Sequence, residues 1–208
     1  MPFTAVHMRN FPDFDMLPAI VPTSFPFESG SFKPFLHARI AAVEGTGILV
    51  NFAVYENAAT LPIAQNTADQ LQNCCASISL CPFPEVSARY INVTGDIFGG
   101  FTGKLCADQE QIDDLTGEIT ADFTPLTQGG SNEIGYYWGL TFLLSDRLLD
   151  RLYGTHTLTP ASVMRGNIYI LCHNPAMEHF GSVSPITDLQ NRTPYRCDGF
   201  ADIPFISL

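Results

Sequence analysis

The 208-residue sequence is short of positive charge: ten Lys and Arg stand against 21 Asp and Glu, a formal net charge of −11. A surface that grips phosphates needs an excess of cations whose binding releases counterions, so nucleic acid and anionic membrane surfaces are disfavoured as partners. Acidity itself points to solubility rather than to a ligand. Long apolar runs are missing too; none approaches the ~20 residues that a membrane-spanning helix requires. The N-terminal Met-Pro-Phe-Thr-Ala-Val-His-Met-Arg-Asn-Phe-Pro has no basic region followed by an unbroken apolar stretch, so the expectation is a cytoplasmic protein.

The familiar catalytic and metal-binding patterns are also lacking. Six cysteines (Cys74, Cys75, Cys81, Cys106, Cys172, Cys197) form no C-x-x-C pair and read as buried, reduced thiols rather than a metal or disulfide framework. Adjacent Cys74 and Cys75 would face opposite sides of a strand, as would the potential nucleophile–base pair Cys172 and His173. The histidines His7, His37, His156, His173 and His179 show no H-x-H or H-E-x-x-H spacing. No phosphate-binding glycine loop is present, and Gly181-Ser-Val-Ser-Pro185 does not match the G-x-S-x-G elbow. The separation of a glycosidase's carboxylate pair is set by the fold, and nothing in the sequence points to such a pair. The expectation is therefore no catalytic residue and no enzyme. The sequons at Asn92 and Asn191 carry no meaning in a cytoplasmic protein.

What is present is a substantial apolar content, 46%, with 15 Pro and 16 Gly spread along the whole chain. That pattern suits many strands and turns in one domain covering residues 1–208. Residues 1–34 read as extended and Pro-rich, with one or two edge strands and with Phe11, Phe14, Phe25, Phe27 and Phe32 as anchors. Phe35 to Val43 and Ile48 to Tyr55 read as a hairpin joined by Glu44-Gly-Thr-Gly47. Alternation places Ile48, Val50, Phe52 and Val54 on one face. Glu56 to Gln70 reads as a polar loop. Strands follow at Asn73 to Leu80, Arg89 to Thr94 and Phe101 to Cys106, with a turn at Asp96 to Gly100. Ala107 to Gly135 holds seven acids and no Lys or Arg. Asp108 is expected to cap a short helix through Leu115. Calcium is the metal such acidity would suit, but the spacing does not match an EF-hand loop, so no cofactor is expected.

Tyr136 to Leu144 predicts a buried strand carrying Trp138, the only tryptophan. Ser145 caps a helix over Asp146 to Tyr153 that Gly154 ends. Gly166 to Cys172 and Ala201 to Ile206 close the strand list. The fold class is all-β: a two-layer antiparallel β-sandwich, immunoglobulin-like or jelly-roll-like, with one or two short helices.

Arg165, Asn167 and Tyr169 alternate along one strand and share one face. Fixed guanidinium donors, an amide and an aromatic ring are the groups that hold a sugar's hydroxyls and its apolar C–H face. The ordinary alternative is that Arg165 pairs with a surface acid, Asn167 bonds backbone and Tyr169 packs in the core.

Several ordered blocks resemble the carbohydrate-binding module family 9-like domains, found attached to xylanases and as stand-alone bacterial proteins. Ile48-Leu-Val-Asn-Phe-Ala-Val-Tyr-Glu56 resembles the family's "L-x-V-x-F-x-V-x-E" strand, and Asn73-Cys-Cys-Ala-Ser77 sits at its "D-S-C-V-E" strand. Arg89-Tyr-Ile-Asn-Val-Thr-Gly-Asp-Ile-Phe-Gly99 is similar to "Y-I-N-F-E-x-N-P-x-G", and Tyr137-Trp-Gly-Leu-Thr-Phe142 to the tryptophan-bearing strand before the short helix. Arg165-Gly-Asn-Ile-Tyr169, with His179-Phe-Gly-Ser-Val-Ser-Pro-Ile186, resembles "R-x-N-F-Y … P-H-Y-x-S-W-x-P-I". Asp198 to Phe205 resembles the closing "E-F-F-G-x-L-x-F". The resemblance implies a non-catalytic carbohydrate-binding β-sandwich, with Arg165, Asn167, Tyr169, His179, Lys104 and Ser77 around a mono- or oligosaccharide. Val183 and Leu71 stand where the family's two sugar-stacking tryptophans are expected, and Ser77 and Thr94 where it has acids. These departures imply lost or altered sugar specificity, or a sandwich kept for protein–protein interaction through an apolar patch at the former site.

Overall fold

The computed structural model describes residues 3–28, 33–57, 70–128, 135–175, 177–188, 190 and 192–206. In chain order the strands are β1 (Ala5–Met8), β2 (Ser24–Glu28), β3 (Phe35–Val43), β4 (Gly47–Asn57), β5 (Cys75–Cys81), β6 (Tyr90–Asp96) and β7 (Phe101–Ala107). They continue with β8 (Glu110–Asp114), β9 (Thr120–Gln128), β10 (Gly135–Ser145), β11 (Val163–Cys172), β12 (His179–Ser182) and β13 (Ala201–Ile206). A single α-helix, α1 (Asp146–Tyr153), lies among the described residues.

The strands form one curled sheet in the order β8-β7-β6-β5-β11-β13-β1-β3-β4-β10-β9, with β12 branching from β11 and carrying β2. Its two halves face each other. The main core joins Ile48, Val50, Phe52, Val54 and Trp138 from one half to Ile78, Val93, Ile168 and Ile170 from the other. Alternation along β4 thus buries the expected set. A Cβ on Gly95 of β6 would meet Leu140 Cδ2 of β10 at 2.4 Å, so the two halves pack closely there and a side chain at 95 would displace Leu140. At the β3–β4 turn, Gly45 and Gly47 take φ of 68° and 132°, the left-handed conformations that the hairpin signal required. The Ser145 hydroxyl accepts the Leu148 N–H at 3.2 Å to start α1, and Gly154 ends it. Leu148, Leu149, Leu152 and Tyr153 turn into the main core.

Three expectations are corrected. The sheet is mixed, not purely antiparallel: β1 pairs in parallel with both β13 and β3. Its backbone is used on both sides, so β1 is a central strand that closes the curl; only β2 fits the edge-strand reading. Asp108 caps no helix. Asp108 and Gln109, at φ 49° and 69°, make a two-residue turn joining β7 to β8. Two successive positive φ values suit the right-handed twist of a hairpin, and pairing with β7 outweighs the local helix signal. All five residues of β8 are exposed. Its acids keep that edge from templating further strands. Phe11 is 68% exposed and anchors nothing, whereas Phe14, Phe25 and Phe27 are half-buried. Phe32, most of the expected 56–70 loop and Asn191 lie outside the described residues.

Candidate functional site

Strand register draws most of the expected site residues into two transverse rows on the outer face of one sheet half. Lys104 of β7 pairs with Asn92 of β6, Asn92 with Ser79 of β5, and Ser79 with Asn167 of β11. One step along, Thr102, Thr94, Ser77 and Tyr169 repeat the row, and Ser182 of β12 extends it. The opposite face of the same strands carries Ile78, Val93 and Ile168 into the main core. Lys104, Ser77, Asn167 and Tyr169 are therefore neighbours. Arg165, two residues before Asn167, shares their face.

That face is covered. The described residues between Ser184 and Phe200 lie across it, and they and neighbouring side chains meet most of its polar groups, Ser182 Oγ excepted. Ser79 Oγ and Asn92 Nδ2 both donate to the Pro194 carbonyl, at 2.7 and 3.2 Å. Ser77 and Thr94 hydroxyls bond each other at 2.7 Å, and Thr94 donates to Asn92 Oδ1 at 3.0 Å. Tyr90 and Tyr169 hydroxyls donate to the carbonyls of Tyr195 and Arg196. Lys104 Nζ sits 4.3 Å from the centre of the Tyr195 ring. Asn167 grips the start of the segment: its amide donates to Ser184 O at 2.8 Å, and its Oδ1 accepts the Ser184 N–H at 2.9 Å. Burial pushes the Tyr169 phenol far above its ordinary pKa. Arg196, fully buried, fixes the segment's far end by a two-pronged bond to Asp198 at 2.5 and 2.6 Å. Asp198 also accepts from Thr187 and Asp188. Burial alone would raise the Asp198 pKa, but these donors hold it well below the usual carboxylate range.

No protein-family model and no curated protein matches the sequence. Solved structures do match over the whole chain. A candidate carbohydrate-binding protein from Bacteroides uniformis superposes with a TM-score of 0.72 at 18% identity, covering 98% of both chains. A family 9 carbohydrate-binding module from Caldicellulosiruptor kristjanssonii in complex with glucose gives 0.62 at 10% identity, over 99% of this chain and 97% of that one. A family 9 module from the same organism in complex with cellotriose gives 0.59 at 8% identity, over 98% and 95%. The fold is that of the family 9 carbohydrate-binding modules.

Within this family 9 fold, the ordinary alternative describes three of the expected residues. Arg165 Nε meets Asp202 at 3.3 Å, Asn167 bonds backbone, and Tyr169 packs with Cys75, Leu171 and Phe180. Ser77 is buried within the hydroxyl network. His179 stands apart from the others. It pairs with Cys172 in β12, one step out of phase with Tyr169 and Ser182, so its ring lies on the opposite face. The tryptophan positions of the family 9 pattern are partly filled: Leu71 packs against the Tyr169 cluster and Val183 against the main core.

Of the six expected residues, Arg165 alone lines one of the cavities resolved here. A pocket of about 220 Å³ is bounded by Arg165, Asp108, Ser87, Cys197 and the Phe200 ring. A larger cleft of about 450 Å³ lies at the α1 end, with Glu44, Asp146 and Asp150 in its wall and no Phe, Tyr or Trp. The sequence reading missed the Arg196–Asp198 clamp, for which a lone Arg between aromatic and acidic residues was the sole signal. It also missed Asp108 and Phe200 as wall residues, because only the β7–β8 turn and the covering segment bring them to Arg165.

Proposed function

We propose that this chain is a non-catalytic carbohydrate-binding domain that takes a single sugar ring in the pocket at Arg165, at the edge of the covered face. The observation that carries the reading is the end-to-end match with family 9 modules, two of them in complex with glucose and cellotriose. Fold alone does not fix function, so the chemistry of the pocket is the second support. Arg165 uses its guanidinium on Asp202 and the Phe200 carbonyl and still has donors left from its five. Asp108 is an exposed acceptor in the wall, and Cys81, Pro84, Ala88 and Phe200 are its less polar lining residues. At about 220 Å³ the pocket is smaller than the roughly 300–1,000 Å³ typical of drug-sized ligands, which suits one ring and not a chain. The lost tryptophans move recognition away from Leu71 and Val183. Those two residues pack onto separate clusters.

Isothermal titration with a panel of mono- and disaccharides tests this. Binding in the millimolar-to-micromolar range is expected, and Arg165→Ala should weaken it by about 1.5–3 kcal/mol through loss of charged hydrogen bonds. No heat with any sugar at millimolar concentration would overturn the binding reading. Unchanged affinity in Arg165→Ala would overturn the pocket. Chromogenic glycosides should be cleaved no faster than in the protein-free blank.

A further inference from the structure

On the core side of the sheet, three residues distant in sequence come together at one end of the sandwich. Glu56 belongs to β4 in one half; Cys74 precedes β5 and His179 opens β12 in the other. Each offers one ligand atom, and these atoms all lie within 4.8 Å of one another. All three residues are buried, with His179 only 4% exposed. Spacings of 18 and 105 residues conceal this cluster from any motif search.

The histidine gives the cluster its direction. Its Nδ1 lies 2.9 Å from the Met177 carbonyl, which can only accept, so Nδ1 carries the proton. That leaves Nε2 as a bare lone pair, and Nε2 has no hydrogen-bond partner among the described residues. An imidazole whose far N–H is held by a backbone carbonyl, fixing the tautomer and presenting the other nitrogen, is the usual arrangement of a metal-binding histidine. A fourth donor is at hand: Cys172 packs with Cys74 and Met177, its thiol donating to the Gln72 carbonyl at 3.4 Å while the Cys74 thiol donates to Met177 Sδ at 3.7 Å.

We propose that Glu56, Cys74 and His179, completed by Cys172, form a buried structural zinc site joining the two halves of the sandwich. Thiolate and imidazole select zinc over calcium or magnesium, which prefer an all-oxygen shell. Ligand atoms on one tetrahedral Zn²⁺ sit roughly 3.3–3.8 Å apart, given bonds of about 2.0–2.3 Å. The cluster therefore closes by about 1 Å on binding, within the range of side-chain rotation. Binding releases the Cys74 and Cys172 thiol protons to solvent, and Glu56 enters as its carboxylate. This site is separate from the Arg165 pocket, so it stands whether or not a sugar binds there.

Cobalt titration of the reduced, chelator-stripped full chain reads the site directly. One equivalent of Co²⁺ should produce a thiolate-to-metal charge-transfer band and the visible bands of a tetrahedral centre. Zn²⁺ should bleach both and raise Tm. Cys74→Ser, checked for folding by circular dichroism, should lose the charge-transfer band or retain a weaker one, and its Zn²⁺ affinity should fall by more than about 100-fold. His179→Gln should also weaken binding and serves if Cys74→Ser does not fold. Cys197→Ser, in the other thiol cluster, should bind as the parent does. Absence of thiolate-bound Co²⁺ in the parent protein overturns the proposal without recourse to any variant. So does an unchanged spectrum in Cys74→Ser, or loss of binding in Cys197→Ser alone.

Discussion

Two buried polar regions lie on opposite faces of the same strands and are built on opposite terms. On the outer face, Ser77, Ser79, Asn92, Thr94 and Asn167 bond one another or the backbone of the covering segment, and Arg196 meets Asp198 with two bonds. On the core face, His179 keeps a nitrogen that takes no hydrogen bond among the described residues. A satisfied network rigidifies what it joins, whereas an unmet buried polar atom costs stability unless something else meets it. The outer face, which has the residue types of a sugar site, therefore acts as adhesive for the chain's own segment. The core face has the chemistry of a site that awaits a ligand.

The largest test of that contrast is Arg196→Ala. Removing a fully buried guanidinium leaves Asp198 without its two strongest donors and frees the end of the covering segment. Breaking a buried pair from one side typically costs about 3–5 kcal/mol. Urea unfolding should show a loss of about 3 kcal/mol, the low end of that range, because Asp198 is partly hydrated and keeps its Thr187 and Asp188 bonds. A loss below about 1 kcal/mol would mean that the segment is held by packing and not by its clamp.

Acid should separate the two regions by pH. Burial pushes the His179 pKa down to about 4, with the nearby His173 adding to the effect and the Met177 carbonyl opposing it. A histidine at about 6.5 when unfolded and about 4 when folded binds more protons unfolded across that interval, so its contribution is complete above pH 6.5 and is lost as pH falls towards 4. The span corresponds to about 3 kcal/mol. Asp198, held below its ordinary pKa, contributes above pH ~3.9 and loses that contribution only in stronger acid. Denaturant midpoints of chelator-treated protein should fall between pH 6.5 and 4 in the parent and stay flatter in His179→Gln. Equal slopes would place the acid sensitivity elsewhere.

The strands that were legible in the sequence were those whose side chains alternate or whose turns carry glycine, from β3 and β4 to α1 with its Ser145 and Gly154 caps. Strand β1 could not be placed from the sequence because two parallel partners are a property of the closed curl and leave no local mark. The β7–β8 hairpin was misread because Asp108 and Gln109 are poor advertisements for positive φ. For the site, the sequence gathered the right neighbours: Ser77, Lys104, Asn167 and Tyr169 share a face. It did not reveal that residues 184–200 of the same chain cover that face. Nor could strand alternation alone separate His179, since its phase is set by pairing with β11.

Asn167→Ala is the finer test, and it bears on the residue that looked most like a sugar ligand. Its amide holds both the N–H and the carbonyl of Ser184, and its Oδ1 also accepts the Ile168 N–H. Truncation leaves three backbone groups short of a partner, at a full cost of about 1–3 kcal/mol for each group that stays dry. Water admitted beside the half-buried Ser184 should recover part of this, so a net loss near 2 kcal/mol is expected. Sugar titration separates the two roles of the side chain. If Asn167 serves only to hold the segment, the folded variant should bind saccharide as the parent does while unfolding at lower urea. If affinity falls and stability does not, the outer face opens in solution, and the contrast between a sealed adhesive face and a ligand-ready core face fails at its first term.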